Sequence, residues 1–168
     1  MEHTMSRLGI GTKLIVFSVS YAVFAGIATY LYPEIFIITM VPYLLLIIAG
    51  IILLAIGVPF LIKSAYEFTI GFNRGCLITS GVFSLVRNPI YSAWILFLIP
   101  GITLFLKSWL ILATPLVAYI CFKIFIKEEE NYLEKQFGQL YENYKSRTNE
   151  LVPCPNFFKN GKIEQPET

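Results

Sequence analysis

Four stretches of the chain carry no charged residue: 14–32, 35–62, 88–106 and 108–122. Charges gather between them and, above all, behind the last. A helix that crosses a bilayer needs about 20 mostly apolar residues. The pattern therefore predicts four spans, at 13–32, 42–62, 90–106 and 109–126. Lys107 and Ser108 are nearly all that separates the last two, so these form a tight antiparallel hairpin. The first apolar run is too long for the core of a signal peptide, and no small-residue cleavage site follows it, so it is read as a span.

Beyond the fourth span the pattern changes period. At about 100° per residue, Leu133, Phe137, Leu140 and Tyr144 form one stripe, which predicts an amphipathic interfacial helix over 127–147. Glu129 and Glu130 precede Leu133 by four and three residues and fall on the same face. Glu128, Lys135 and Glu142 point away. Residues 154–168 read as a frayed tail. The fold class is thus all-α: a polytopic membrane protein of about four transmembrane helices with a C-terminal amphipathic cytoplasmic helix, in one domain over 1–168.

Composition sharpens this picture. Of the 168 residues, 56% are hydrophobic and 14% charged, against about 25% charged in an ordinary soluble domain. A soluble globular enzyme is therefore disfavoured. The net charge of +2 offers no basic face for nucleic acid. Every acidic residue is Glu, which removes Asp-based Mg²⁺ or Ca²⁺ sites. Cys76, Cys121 and Cys154 are far apart and the one histidine is His3, so no metal site is expected. Cys121 reads as a small core residue.

Basic residues set the orientation. Arg7 and Lys13 stand at the start of the first span, Lys63, Arg74 and Arg87 lie between the second and third, and the stretch from Lys123 to Thr168 holds seven Lys and Arg; the segment 33–41 has none and the hairpin turn has only Lys107. Both termini are placed in the cytoplasm, which in a prokaryote makes the membrane the plasma (inner) membrane. Pro100, Gly101 and Pro115 fall inside predicted spans and are read as kinks. Ser18, Ala22 and Gly26, spaced by four, suit close helix packing.

Candidate chemistry collects on the cytoplasmic side. Buried carboxylates need a cation or hydrogen-bond donors. Arg87, Asn88, Pro89 and Tyr91 stand at the mouth of the third span, with Pro89 suited to a first helical turn. The hairpin brings that mouth to the end of the fourth span, so Arg87 and Tyr91 are expected near Glu129 and Glu130. Singly, these are an interfacial anchor and a solvated acidic run. Together they make a site for a small zwitterionic or cationic ligand.

The stretch 75–152 resembles the superfamily of isoprenylcysteine carboxyl methyltransferases and phospholipid methyltransferases. The resemblance rests on Leu77, Gly81 and Phe83 ahead of Arg87-Asn88-Pro89-Ile90-Tyr91, a span hairpin, Glu129-Glu130 with Leu133, Phe137, Gly138, Tyr141 and Tyr144, then Lys145, Arg147 and Pro153. It implies an integral membrane enzyme that moves a methyl group from S-adenosylmethionine to a lipophilic acceptor reached from the lipid side. It also implies that Arg87 pairs with the methyl donor's carboxylate, that Glu129 or Glu130 takes its ammonium or ribose, and that Tyr91, Tyr141 or Tyr144 offers a π-face. Asn88 and Pro89 complete the cofactor-binding set, and Glu130 and Arg87 are the residues on which transfer depends. Asn88 stands where the carboxyl methyltransferases typically have His. Lys123 or Lys127 stands near where they have an Arg for the substrate carboxylate. The acceptor remains open among a prenylcysteine-like carboxylate, a phospholipid amine and a thiol. A non-enzymatic membrane interaction protein is the reading from another class.

Overall fold

The computed structural model describes residues 10–152. His3, Arg7, Pro153, Cys154 and the tail expected at 154–168 lie outside the described residues. Helix α1 (Gly11–Leu31) is followed by the single turn α2 (Pro33–Phe36) and by α3 (Tyr43–Arg74). A 3₁₀ turn at Gly81–Ser84 leads to a third span, which opens as α4 (Pro89–Ser92), widens into a π-helical segment at Ala93–Leu98 and closes as α5 (Ile99–Leu104). The chain returns through α6 (Trp109–Leu112), α7 (Thr114–Phe137) and α8 (Gln139–Arg147).

Among the described residues, three helices are long and apolar enough to cross a bilayer: Gly11–Leu31, Tyr43–Asn73 and Trp109–Phe137. The fourth apolar helix, Pro89–Leu104, is shorter. Its 16 residues rise about 24 Å at about 1.5 Å each. Much of the apolar surface points outward, as a lipid solvent requires: Phe17, Val23, Phe24 and Ile27 of α1 and Leu44, Ile51 and Ile52 of α3 are each more than half exposed.

Three boundaries differ from the sequence pattern. Helix α3 does not stop at residue 62 but runs to Arg74, because Lys63 and Glu67 do not break a helix. The first residue that does is Gly75, which caps it in the left-handed region at φ 63°. The predicted polar loop therefore shrinks from 63–88 to 75–88. At the other end, α7 carries the fourth span straight on to Phe137, so the expected interfacial helix is not one piece. Gly138, at φ 52° and ψ −128°, resets the helical phase. The stripe consequently shifts: Leu140 is 68% exposed, while Tyr141 is 2% exposed. The prolines behave locally. Pro115 sits in the first turn of α7. Pro100 follows the π-helical segment, whose wider turn relieves the clash between a proline ring and the carbonyl four residues before it.

Packing sets the order of helices. The third span lies between α3 and α7, and α1 packs along α6 and α7. Between lipid-facing helices attraction comes from close van der Waals contact and not from burial against water. Here α3 supplies it with Gly50 and Gly57. A Cβ at Gly50 would stand 2.8 Å from the Gly101 carbonyl oxygen, and one at Gly57 would stand 2.5 Å from Phe97 Cβ. The expected stripe on α1 acts otherwise: a Cβ on Gly26 meets nothing within 4 Å, and Ser18, Ala22 and Gly26 line a cavity instead.

The two poles of the bundle are tied differently. At one, Tyr43 donates to the Phe105 carbonyl at 3.0 Å and the Thr29 and Ser108 hydroxyls share a 2.7 Å hydrogen bond. At the other, the start of α1, the end of α3, the start of the third span and the end of α7 meet. Ile10, Leu14, Ile95, Ala118, Phe122, Ile126 and Leu151 form a buried cluster there, with Tyr91 against it. The candidate residues stand at this second pole.

Candidate functional site

The loop before the third span is fixed from three sides. Gly81 takes φ 62° and would, with a Cβ, collide with the Glu67 carboxylate of α3. That carboxylate accepts from the Val82 amide at 2.8 Å. Tyr144 of α8 donates its hydroxyl to the Phe83 carbonyl at 2.6 Å. Past α8 the chain runs as a strap beside the loop: Arg87 N–H donates to the Asn149 carbonyl at 2.7 Å and Asn88 N–H to the Glu150 carbonyl at 3.2 Å. The Ser92 hydroxyl donates to the Leu151 carbonyl at 2.7 Å. The Asn88 side-chain amide also donates to the Glu150 carbonyl, at 3.3 Å. Pro89 forms the first turn of α4, as its fixed φ favours.

So held, Arg87 reaches two elements. Nη1 donates to the Lys145 carbonyl at 2.9 Å and Nη2 to Glu130 Oε1 at 3.0 Å. Lys145 Nζ takes the other Glu130 oxygen at 2.8 Å and Glu134 Oε1 at 2.8 Å. The Arg87–Glu130 pair is well shielded, at 12% and 13% side-chain exposure, so little water screens it. The two carboxylates raise the Lys145 ammonium above its ordinary pKa. Burial does the same for the Tyr141 and Tyr144 phenols.

Glu129 turns the other way. The Tyr91 hydroxyl donates to its Oε2 at 3.1 Å, and the Ile10 amide at the start of α1 lies against the same carboxylate. The Tyr91 ring rests on Phe122 at 5.5 Å. Glu129, Tyr91, Arg87, Asn88 and Pro89 all line one cavity of about 1090 Å³, which continues along α1 past Ser18, Gly26 and Thr29 and along the third span past Trp94 and Ile102. From Gly11 to Thr29 it follows α1 for about 27 Å, at about 1.5 Å per residue. Among the described residues, two buried side-chain polar atoms have no hydrogen-bond partner, Arg87 Nε and Ser18 Oγ, and both residues line this cavity.

The eight residues singled out from sequence thus divide. Arg87, Asn88, Pro89, Tyr91 and Glu129 face the cavity. Glu130, Tyr141 and Tyr144 lie outside its lining, in the ion-paired and hydrogen-bonded wall that holds α8 to the loop. Lys123 pairs with Glu150 and so ties the strap to α7. Three contributors escaped the sequence pattern: Lys145 as the second cation on Glu130, the strap 149–151, and the start of α1. The break at Gly138 was the available signal for Lys145, since it turns α8 back toward Glu130. No pattern in the sequence marks the strap, which works through backbone carbonyls.

No curated protein and no solved structure matches the chain. A family model does, that of phospholipid methyltransferase, over residues 44–140. The match begins in α3, ahead of the resembling stretch that starts at Gly75, and takes in both the Arg87 loop and the paired glutamates. It covers more than half of the 168 residues, and with it the chain belongs to the phospholipid methyltransferase family of membrane methyltransferases.

Proposed function

We propose that this protein transfers a methyl group from S-adenosylmethionine to a lipophilic, membrane-partitioned acceptor, in an architecture similar to the isoprenylcysteine carboxyl methyltransferases. The observation that carries the reading is that Arg87 and Glu129, each bound to other partners, both line the polar end of a long apolar cavity. Arg87 keeps a buried, unpartnered Nε there, a donor fitted to a carboxylate such as the methyl donor's. The cavity volume, about 1090 Å³, lies just above the range of small-molecule sites, about 300–1,000 Å³. Asn88, Pro89 and Tyr91 frame the same mouth. Glu130 holds Arg87 and Lys145, and Tyr141 and Tyr144 back that arrangement, so these three shape the donor site through Arg87.

The bound donor supplies an electrophilic methyl carbon. Methyl transfer is an in-line displacement, helped chiefly by proximity, orientation and exclusion of water, and the side chains here suit those tasks. An acceptor that reaches the cavity from the lipid meets its apolar flank first and the polar mouth last. Prenylcysteine-like carboxylates, phospholipid amines and thiols are the acceptor classes in play. The mouth lies at the pole assigned to the cytoplasm, with both termini on that side.

Calorimetric titration of the detergent-purified chain with S-adenosylhomocysteine tests this. Saturable binding by the wild type that is weakened in Arg87→Lys supports the reading. No binding by a folded sample, with and without lipid, overturns it in favour of a non-enzymatic membrane protein.

A further inference from the structure

Four serine and threonine side chains line the cavity: Ser18, Thr29, Thr103 and Thr114. Lipid offers a hydroxyl no partner, so a hydroxyl at membrane depth needs one from the protein. Three of the four have it. Thr29 donates to the Ala25 carbonyl at 2.7 Å, Thr103 to the Pro100 carbonyl at 3.1 Å and Thr114 to the Ile111 carbonyl at 2.6 Å. Ser64 and Ser92, buried outside the cavity, return to the carbonyl four residues before them, a common fate of a helical hydroxyl. Ser18 differs. It lies in the middle of α1, 5% exposed, and its Oγ has no hydrogen-bond partner.

The depth of Ser18 is defined. Gly11 stands at the cavity mouth, where a Cβ on it would lie 3.9 Å from the Tyr91 ring. Ser18 comes seven residues later, about 10 Å along the helix axis at about 1.5 Å per residue. Its neighbours in the lining of α1, Leu14, Ile15 and Val19, are apolar. An unpaired hydroxyl among them is costly. A turn about χ1 between staggered wells carries Oγ from the wall toward the cavity.

We infer that Ser18 is a subsite for an uncharged, hydrogen-bond-accepting oxygen: a carbonyl carried within the apolar chain of the amphiphile that fills the cavity, about 10 Å from its head. The inference rests on the proposed methyl transfer in taking that amphiphile as the methyl acceptor, and it concerns the chain and not the reacting head. The two charged side chains of the lining, Arg87 and Glu129, stand at the mouth, so the oxygen met at Ser18 is a neutral one. A plain hydrocarbon or isoprenoid chain leaves the Ser18 hydroxyl unpaired, whereas a carbonyl at that depth pairs it. Lipid gives such a carbonyl no donor, so the one bond discriminates between the two chains. Ser18 is thereby a specificity-determining residue for the chain.

The test uses the full chain in detergent, in a Trp109→Phe background that leaves Trp94 as the only tryptophan. Trp94 lines the cavity five residues after Pro89, within about one helical turn of the depth of Ser18. A brominated long-chain alcohol serves as the probe and should quench Trp94. Two unbrominated alcohols of equal length compete with it, one plain and one with a single keto oxygen about 10 Å from its hydroxyl. The keto alcohol should displace the probe from wild type about tenfold better, the worth of one hydrogen bond. In Ser18→Ala the two should compete alike. Thr103→Val, which removes a hydroxyl already spent on a backbone carbonyl, should keep the preference. The infrared stretch of an isotope-labelled keto group should lie lower in wild type than in Ser18→Ala, because a hydrogen bond weakens the carbonyl. The inference is overturned by an absence of quenching, by a wild type without preference, by a preference that survives Ser18→Ala, or by one lost equally in Thr103→Val. A keto oxygen at the far end of the chain that competes as well as one at the depth of Ser18 overturns it too. Titration of the wild type with S-adenosylhomocysteine keeps the two readings apart. A Ser18-dependent preference in a protein that does not bind S-adenosylhomocysteine upholds the subsite and removes the methyl-transfer reading. Binding of S-adenosylhomocysteine without a keto preference does the reverse.

Discussion

Arg87 and Lys145, 58 positions apart, grip each other through one carboxylate and one carbonyl. Both cations sit on Glu130, and Arg87 Nη1 donates to the Lys145 backbone as well. The loop before the third span and the last helix are therefore a single unit. A substitution at any of the three residues acts on stability and on the cavity mouth together.

Arg87→Lys keeps a positive charge beside Glu130 and loses the fork that also reaches the Lys145 carbonyl. Donor binding is expected to weaken by about 1–3 kcal/mol, with a smaller loss in Tm because Lys145 still neutralises Glu130. Titration with S-adenosylhomocysteine beside a thermal melt separates the two effects. An unchanged affinity would reduce Arg87 to an anchor.

Glu130→Ala removes the shared partner of two cations. The sequence alone predicts lost donor binding with folding intact. The geometry changes that: two cations are left facing each other in a shielded wall, at a cost on the order of 3 kcal/mol. Glu130→Gln, which keeps one acceptor oxygen, should be stable enough to purify. Thermal melts of Glu129→Gln and Glu130→Gln compare the two directly. Only the second should melt markedly earlier, since only Glu130 is held by cations.

Two truncations probe the strap. Ending the chain after Val152 leaves the carbonyls of Asn149, Glu150 and Leu151 in place for Arg87, Asn88 and Ser92. Tm and affinity should then stay near wild type. Ending it after Arg147 strips three acceptors from buried or half-buried donors, each lost bond being worth about 1 kcal/mol. Such a protein should bind the donor poorly, whereas partial retention is the expectation from sequence if the stretch from Leu151 on is a peripheral lid or tail. Equal behaviour of the two truncations would show that the strap does not hold the loop.

The sequence made the spans, the hairpin and the approach of Arg87 and Tyr91 to the glutamates legible, because each follows from apolar run length and antiparallel geometry. It hid whatever depends on phase or on backbone. The stripe through Leu140 assumed an unbroken helix, and one glycine at positive φ exchanged Leu140 for Tyr141. The small residues of α1 looked like a helix contact and line the cavity, whereas Gly50 and Gly57 of α3 make the contact. Spacing alone does not say which small-residue face meets a neighbour. The different fates of Glu129 and Glu130 were also out of reach, since adjacent helical positions differ by about 100° and only the tertiary arrangement says what stands on either side.

The glycines provide a matched comparison. Gly57→Ala drives a methyl into Phe97 Cβ at 2.5 Å, an atom fixed to the backbone of the third span. Gly26→Ala meets nothing within 4 Å. Overpacking costs about 1–3 kcal/mol, so Gly57→Ala should melt lower. Gly26→Ala should hold or gain up to about 1 kcal/mol from helix propensity. Equal melts would mean that α3 and the third span are not in close contact.

Alkaline pH should release α8 first. Lys145 is raised by Glu130 and Glu134, and Tyr141 and Tyr144 are raised by burial. All three hold their protons more tightly folded than unfolded, where they titrate near about 10. The folded state therefore binds more protons than the unfolded one across the window above that value. Stability is fully present below about pH 10 and falls as pH climbs through the folded-state values. Thermal melts at rising pH should show this decline, and Tyr144→Phe should lose the Phe83 hydrogen bond at every pH while showing a shallower alkaline slope. A wild-type slope that is flat above about pH 10 would mean that α8 is held by its apolar contacts and not by this proton-bearing wall.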